Sequence, residues 1–572
     1  MRRIIFAFAL AIFITGCGGF KGISINSGDF EDESLSAKAV SVFQRVASEK
    51  TGSDSFAKAE RGGFRISLQS DPSIPEEAFE IVRPSKNKLI IKASEGHGVL
   101  YGLGKVLHDG AWSEGRFSPG HFKGLSSPDK PVRGIYFATH FRNYYHEAPL
   151  EEVERYVEDL ALWGYNGLQV WFDMHHYNGI DDPEAVKMMD RLAAILRAGE
   201  AVGMRSGLTM LANEGYNTTP EALKASKISW TAHFGCEICP SKPGGTDLIM
   251  KNRSEFLDAF ASRGVHIQNI WLWPYDQGGC SCPDCSVWGA NGFLRITRQL
   301  AGMMREKLPG VSVVLSTWLF DFEEEDKGEW KALDKTFSEE KPWVDAIMAD
   351  SHTDFPSFLR NHPVPGNLPL ENFPEISMWN NYPWGGFGAN PLPERFYRLY
   401  HQCPDGLEGG FPYSEGKFED INKVIYSRLY WEKGISAREA LRKYVAFEYS
   451  PKAADRICDA IEILEKNMGL KTRNWIKRPD LFEKKITVPK EDFGAAKAYS
   501  MLLEAEKDMT DAAKASWRWQ ILRLRAFLDL RLRETKGEIT PDVNEAFRTL
   551  MEISSVQEGE FAVRPPYVKN EE

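Results

Sequence analysis

The sequence has no excess of positive charge, no low-complexity tract and no internal repeat. Its 572 residues carry 70 Lys and Arg against 81 Asp and Glu, a formal net charge of −11. This balance disfavours nucleic acid as a partner, because binding a polyanion depends on clustered positive charge. With 42% hydrophobic and 26% charged residues, the composition is that of a globular protein, which excludes disorder, collagen and coiled coil.

Long hydrophobic runs are also scarce, and the one that stands out lies at the N-terminus. Two arginines precede the apolar run 4–14, which is typical of a secretory signal and too short to span a membrane permanently. The run leads into Thr15-Gly16-Cys17, which resembles a bacterial lipobox. We therefore expect a lipoprotein signal peptide at 1–16, a lipid on Cys17 and a location in the bacterial cell envelope, on the periplasmic face or the cell surface. An unlipidated signal is the alternative.

Composition and periodicity divide the rest of the chain into four segments. Residues 17–34 are rich in Gly, Ser, Asp and Glu, which predicts a flexible tether. Residues 35–127 alternate short strands with two helices and predict a small α/β domain. Residues 128–432 alternate apolar strands with amphipathic helices, and residues 433–572 contain helical patterns alone. The predicted fold class is therefore α/β: a small α/β domain, a (β/α)8 barrel and a helical C-terminal domain.

The barrel prediction depends on eight strand patterns, which favour a closed barrel over the alternative, a doubly wound sheet. The strands are predicted at 132–138, 166–172, 205–211, 266–273, 312–318, 345–350, 375–380 and 407–412. Helices are predicted at 150–163, 183–202, 250–263 and 291–307 in the barrel, and at 436–449, 453–467, 493–512, 514–534 and 541–553 in the C-terminal domain.

Polar and aromatic side chains follow almost every predicted strand, and the catalytic residues of such barrels lie at the C-terminal strand ends. Flat rings beside hydrogen-bonding groups suit a sugar-binding pocket. The predicted substrate-binding residues are His140, Arg142, Trp171, Asp173, His175, Tyr275, Trp318, Asp321, Asp350, His352, Trp379, Asn380 and Tyr413.

Glycosidic bond hydrolysis needs a carboxylic acid to protonate the leaving oxygen and a carboxylate or substrate group on the opposite side. Asp276 follows predicted strand 4 beside a glycine pair, and Glu415 follows strand 8 between Ser and Gly. Glu214 follows strand 3. We predict these three as catalytic carboxylates from their strand-end positions, and no catalytic cofactor is expected.

Five of the eight cysteines fall in one region of the barrel. Cys239, Cys280, Cys282 and Cys285 together offer the four thiolates of a closed, structural zinc site. Disulfides are the alternative, since an exported protein meets oxidising conditions, and free thiols are a further one. In each case the loop after Asp276 would be held in place.

The segment from Glu77-Ala-Phe-Glu-Ile-Val to Gly98-Val-Leu-Tyr-Gly-Leu resembles the small N-terminal domain of bacterial β-hexosaminidases (glycoside hydrolase family 20) and α-glucuronidases (family 67). In both families this domain precedes a catalytic (β/α)8 barrel. Family 20 enzymes carry an Asp-Glu pair after strand 4, where this sequence has Asp276-Gln277. Only Asp276 carries over, because Gln277 cannot act as an acid, so the acid would be Asp276 or a residue from another strand end.

The resemblance implies a glycosidase that acts on a complex glycan, with a β-N-acetylhexosaminide linkage as the first expectation. An α-glucuronidase-like enzyme is the second hypothesis, in which His140 and Arg142 bind a substrate carboxylate. A non-catalytic glycan-binding lipoprotein on the same barrel is the third, because a fold does not fix a function.

Overall fold

The computed structural model describes residues 19–58, 63–139, 143–228, 234–275, 278–321, 327–377, 391–468, 488 and 490–554. It confirms the predicted fold class: a small α/β domain, a closed eight-stranded parallel barrel and a helical C-terminal region follow one another. The signal peptide, Cys17, His140, Arg142, Asp276, Trp379 and Asn380 lie outside the described residues. Within the described residues, no helix is both long and apolar enough to cross a membrane.

The N-terminal domain is a five-stranded sheet in the order β1-β2-β4-β3-β7, packed against two helices. In α1 the buried residues Ala39, Val42, Phe43 and Val46 recur at i, i+3, i+4 and i+7, which gives the helix one apolar face. The strands are β1 (Ile23–Asn26), β2 (Phe64–Ser70), β3 (Phe79–Ser85), β4 (Lys88–Ala93), the hairpin β5 (Ala111–Ser113) and β6 (Arg116–Ser118), and β7 (Gly124–Ser126); the helices are α1 (Ser34–Thr51) and α2 (Gly96–Asp109).

The predicted tether at 17–34 is wrong for most of its length. Phe20 forms a β-bridge with Phe117, and β1 pairs in parallel with β2. Ile23 is fully buried. The polar composition concealed a four-residue edge strand whose alternation, Ile-Ser-Ile-Asn, is the pattern of a half-buried strand.

The barrel consists of parallel strands and closes where its last strand pairs with its first. Its strands are β8 (Val132–Phe137), β9 (Gly167–Trp171), β10 (Arg205–Leu211), β11 (Ile267–Trp273), β12 (Ser312–Ser316), β13 (Ala346–Ser351), β14 (Leu370–Pro374), and β15 (Leu407–Gly410) with β16 (Tyr413–Ser414), which together form the eighth. Its helices are α3 (Tyr144–Glu147), α4 (Leu150–Leu162), α5 (Pro183–Ala201), α6 (Gly245–Ser262), α7 (Gly292–Lys307), α8 (Glu329–Glu339), α9 (Ser357–Asn361), α10 (Pro393–Tyr400) and α11 (Asp420–Trp431).

The seventh barrel strand lies earlier in the chain than predicted. The strand is Leu370–Pro374, whereas the sequence pattern favoured 375–380. Leu-Glu-Asn-Phe-Pro contains two polar residues and a proline, which together resemble a loop. All five residues are nevertheless buried in the barrel. Glu375 therefore directly follows the strand.

The C-terminal region packs on the barrel through a buried charge network. Asp420, in the helix that follows the eighth strand, accepts hydrogen bonds from Tyr156, Tyr444 and Arg518 at 2.7–2.8 Å. Arg518 lies on α16, so the network joins the C-terminal region to the barrel. The C-terminal helices are α12 (Ala437–Glu448), α13 (Ala454–Asn467), α14 (Ala495–Ala505), α15 (Asp511–Ala515), α16 (Trp517–Glu534) and α17 (Pro541–Ser554).

Candidate active site

Alternate side chains of the barrel strands point into the barrel interior, and the same alternation continues past the C-terminal strand ends. The interior cluster includes Trp171, Met348, Phe373 and Tyr413. Strand side chains alternate between the two faces, so the second residue beyond each of these has the same inward phase. Those residues are Asp173, Asp350, Glu375 and Glu415. The C-terminal mouth of the barrel therefore carries carboxyl groups from four strands.

Glu375 and Glu415 form a pair of carboxyl groups at the ends of strands 7 and 8. The backbone of Glu375 bridges to Tyr413, whose hydroxyl donates to Glu415 Oε1 at 2.9 Å. Burial, followed by the charges of Glu375 and Glu419, raises the pKa of Glu415 well above its ordinary value. Ser377 donates to Glu375 Oε1 through its N–H at 2.9 Å and its hydroxyl at 2.5 Å.

Glu419 fixes the backbone that carries Glu415. Its Oε1 accepts hydrogen bonds from the N–H groups of Glu415 (2.6 Å) and Gly416 (2.8 Å) and from the Ser414 hydroxyl (2.8 Å). Lys423, fully buried, lies 3.7 Å from the same carboxylate. Glu419 is itself buried, and its three hydrogen bonds hold the turn that carries Glu415.

Asp350, at the end of strand 6, is a third carboxyl group with a perturbed pKa. Burial raises the pKa of Asp350 to about 7. The side chain therefore exchanges its proton near neutral pH, a property shared by catalytic acids and bases.

Strands 2 and 3 contribute a histidine held by a carboxylate. Glu214 Oε1 accepts from the His175 N–H at 3.1 Å and lies 2.6 Å from His175 Nδ1. His175 is buried and its Nε2 has no partner among the described residues. Ligand atoms of His175, Asp173 and His176 lie within 4.8 Å of one another. Glu214 is fully buried and orients His175 through these contacts, and its catalytic role stays a prediction.

Tryptophan rings line the interior below these polar groups. Trp273 lies 5.5 Å from the rings of both Trp171 and Trp318, measured between centroids. The indole N–H groups of Trp271, Trp273 and Trp318 are buried without a partner among the described residues. Aromatic faces with free N–H donors suit a sugar ring, which presents both C–H faces and hydroxyl acceptors.

Two predicted substrate-binding residues have structural roles. Tyr275 is buried and donates its hydroxyl to Glu329. Asp321 accepts from the N–H groups of Glu329 (3.0 Å) and Trp330 (3.3 Å), so both its carboxylate oxygens stabilise the start of α8. His352 is half-buried just beyond strand 6, and its carbonyl accepts from Arg395. For these three residues, substrate binding stays a prediction.

The cysteine cluster joins the loops that follow strands 3 and 4. Asn213 Nδ2 donates to the carbonyls of Ile238 (3.0 Å) and Gly279 (2.9 Å), and its Oδ1 accepts from the Gly279 N–H (2.8 Å). Cys239 from the first loop meets Cys280, Cys282 and Cys285 from the second, with all four sulfur atoms within 4.8 Å of one another. Every cysteine among the described residues is a free thiol in this structure.

Three important residues were not predicted from the sequence. Glu375 is the first residue of the predicted strand 375–380, and neither Glu419 nor Asn213 is among the predicted site residues. Glu371, Phe373 and Glu375 alternate along one face of the strand, which indicates Glu375 as a site residue once the strand is placed at Leu370–Pro374. Asn213 contacts the distant backbone groups of Ile238 and Gly279, and Glu419 contacts the turn just before it, whose geometry the sequence pattern does not specify.

Comparison with known proteins defines the fold. No family model matches the chain, and no curated protein matches it in sequence. Solved structures do match. A family GH115 4-O-methyl-α-glucuronidase with specificity for decorated arabinogalactans aligns with a TM-score of 0.56 and 12% identity over 93% of this chain and 76% of that one. A GH89 enzyme from Clostridium perfringens, in complex with GlcNAc-α-1,4-galactose, aligns at 0.59 and 13% over 88% of this chain and 62% of that one.

A third match is the GH20 β-N-acetylhexosaminidase from Streptomyces coelicolor A3(2), with a TM-score of 0.50 and 12% identity over 74% of this chain and 91% of that one. The chain has a glycoside hydrolase fold. At these identities the likeness establishes the fold alone, in agreement with the resemblance inferred from the sequence. The chemistry must therefore be argued from the residues at the barrel mouth.

Proposed function

We propose that the protein hydrolyses a glycosidic bond in a complex glycan, with Glu415 as the general acid and Glu375 as the second carboxylate. The observation that carries this proposal is their pairing at adjacent strand ends, where the charge of Glu375 helps to raise the pKa of Glu415. Two carboxyl groups whose environments differ in this way are the usual acid and base of a glycosidase.

Each group has a defined role in this mechanism. Glu415, whose pKa is raised well above its ordinary value by burial and by the charges of Glu375 and Glu419, donates its proton to the leaving oxygen as the glycosidic bond breaks. Glu375, held by the two Ser377 donors, faces the positive charge that develops on the sugar, and either attacks the anomeric carbon or activates water. Asp276, which lies outside the described residues, stays a predicted carboxylate of the same site.

For the substrate we propose a β-N-acetylhexosaminide-type linkage. The support is the resemblance of the N-terminal domain to that of family 20, together with a fold shared with a β-N-acetylhexosaminidase. The GH89 enzyme bound to GlcNAc-α-1,4-galactose also shares the fold and supports the N-acetylhexosamine unit, but not the β configuration. The GH115 α-glucuronidase aligns over 93% of this chain, which keeps an acidic glycan as the second candidate. A non-catalytic glycan-binding protein is the third.

Aryl glycosides and capped oligosaccharides separate these candidates. We expect release of 4-nitrophenol from 4-nitrophenyl N-acetyl-β-hexosaminides and no release of uronic acid from uronate-capped oligosaccharides. The opposite pattern would favour the glucuronidase. Glu415→Gln and Glu375→Gln should each lower turnover at least about 100-fold. Glu408→Gln, the same change at the opposite end of strand 8, should leave turnover unchanged. Binding without release from any substrate would indicate the non-catalytic protein.

We also propose that Cys17 carries a lipid that attaches the protein to the bacterial envelope. The lipobox-like sequence supports the anchor, and the first β-bridge of the folded body, at Phe20, follows three residues later. Wild-type protein should then fractionate with membranes and Cys17→Ser protein with the soluble fraction. Equal distribution of both proteins would argue against the anchor.

A further inference from the structure

We propose that Cys239, Cys280, Cys282 and Cys285 bind one zinc ion, which fastens together the two loops that frame the barrel mouth beside His175. The inference is independent of the proposed hydrolysis, because it concerns a structural ion and is tested by metal content.

The spacing of the sulfur atoms matches a single tetrahedral ion. Cys239 Sγ lies 3.7 Å from Cys282 Sγ and 3.9 Å from Cys285 Sγ. A zinc ion with Zn–S bonds of about 2.3 Å places its ligands about 3.8 Å apart. A disulfide would bring two sulfur atoms to about 2.05 Å, and an iron–sulfur cluster would hold its cysteines much farther apart.

The surroundings supply donors to the sulfur atoms, as expected around metal thiolates. The Ser241 hydroxyl lies 3.0 Å from Cys285 Sγ, and the Arg295 guanidinium lies 3.5 Å from it. Backbone N–H groups of Ser226 and Cys282 donate to the Cys280 sulfur. The nearby positive charge of Arg295 offsets part of the negative charge that four thiolates leave around one zinc ion.

Four cysteines fill the tetrahedron, so the ion has no open position for water and takes no part in the chemistry. Three of the four are fully buried and Cys282 is partly exposed, which gives a closed site with an entry path. One ligand comes from the loop after strand 3 and three come from the loop after strand 4. The ion therefore adds a strong link beside the Asn213 hydrogen bonds that join the same loops.

Metal analysis of the full chain, purified without chelators or metal-affinity resin, tests the proposal. We expect one zinc per chain, and a loss of at least tenfold in Cys282→Ser. Cys236→Ser, which changes the fifth cysteine of the region, should retain its zinc. Because a ligand variant can fail to fold, a second measurement replaces zinc with cobalt in the wild-type chain, which should then show the intense visible bands of tetrahedral thiolate coordination.

Three outcomes would overturn the proposal. They are wild-type protein without zinc whose cluster thiols are oxidised to disulfides, wild-type protein that carries iron, and zinc content that is equal in Cys282→Ser and wild type. Each of these would leave the proposed hydrolysis untouched, since activity is not the readout.

Discussion

Burial and four neighbours set the protonation state of Glu415. Burial and the charges of Glu375 and Glu419 oppose ionisation, while the hydroxyls of Tyr413 and Ser377 stabilise the ionised form. The first group dominates, so the pKa of Glu415 is raised. A carboxyl group that keeps its proton above its ordinary pKa can act as an acid at neutral pH, and activity should then fall as the pH rises through that raised pKa.

Tyr413→Phe should move the alkaline limb of the pH profile to higher pH. The change removes a hydrogen bond to the ionised form of Glu415, which raises the pKa of that carboxyl group further. A charge-assisted hydrogen bond of this kind corresponds to about one pH unit. The profile of kcat/KM against pH measures the shift, with Tyr397→Phe on α10 as the control. An alkaline limb that stays in place or moves to lower pH would contradict the assignment of Glu415 as the acid.

At the scale of elements, Glu419 connects the eighth strand to the helix that follows it. It accepts three hydrogen bonds from the turn that carries Glu415, so its effect on catalysis is one of position and charge. A small displacement of a catalytic group lowers turnover more than it weakens substrate binding.

Glu419→Gln should therefore lower kcat by about 10- to 100-fold with little change in KM. Its alkaline limb should also move to lower pH, because a charge that raises the pKa of Glu415 is lost. Lys423 would remain buried without its nearest carboxylate, so Glu419→Gln/Lys423→Met provides a variant with a balanced charge. If both variants keep the wild-type kcat and pH profile, Glu419 has no positioning role.

Elements were predictable from the sequence wherever hydrophobic periodicity dominated. Amphipathic helices such as Leu150–Leu162 and Pro183–Ala201 begin and end within one or two residues of their predicted bounds. The prediction of strand 7 was wrong because its polar residues are buried in the barrel, which the sequence pattern does not indicate. Glu375 was missed as a site residue for the same reason. Strand-end position indicated Glu415 and Asp350 but also Tyr275, since the direction of a side chain depends on partners that are distant in sequence.

At the scale of the whole molecule, the helical C-terminal region is held on the barrel by ionic contacts with little access to water. Arg518 donates to Asp420 at 2.8 Å and to Asp159 at 3.1 Å. Although burial opposes ionisation, Arg518 and Lys423 hold the pKa of Asp420 below its ordinary value. Because that pKa is lowered by folding, its contribution to stability is present above the unfolded pKa and is lost as the pH falls.

Arg518→Met should destabilise the protein by about 3 kcal/mol at neutral pH, since it leaves the Asp420 charge buried without its main partner. The difference from wild type should shrink as the pH falls to about 4 and below, because Asp420 becomes protonated in the folded variant and its unpaired charge is lost. Urea unfolding at the two pH values measures both effects. A penalty that is unchanged in acid would show that Arg518 acts through packing and not through charge.

The N-terminus also has a consequence for the whole molecule if Cys17 is lipidated. Only Gly18 and Gly19 separate that cysteine from Phe20, which is already paired in the folded body. Three residues span at most about 10 Å, so the folded body would lie directly against the bilayer.

We propose above that this barrel cleaves a glycan with Glu415 as its acid. The most direct measurement is the release of sugars from a panel of host and algal glycans by wild-type and Glu415→Gln protein, read by chromatography. Wild type should release a sugar from at least one glycan, and the variant should release at least about 100-fold less. The variant should remain folded and at least as stable at pH 7, because ionising Glu415 is unfavourable in the folded protein. Equal release by both proteins would contradict the account.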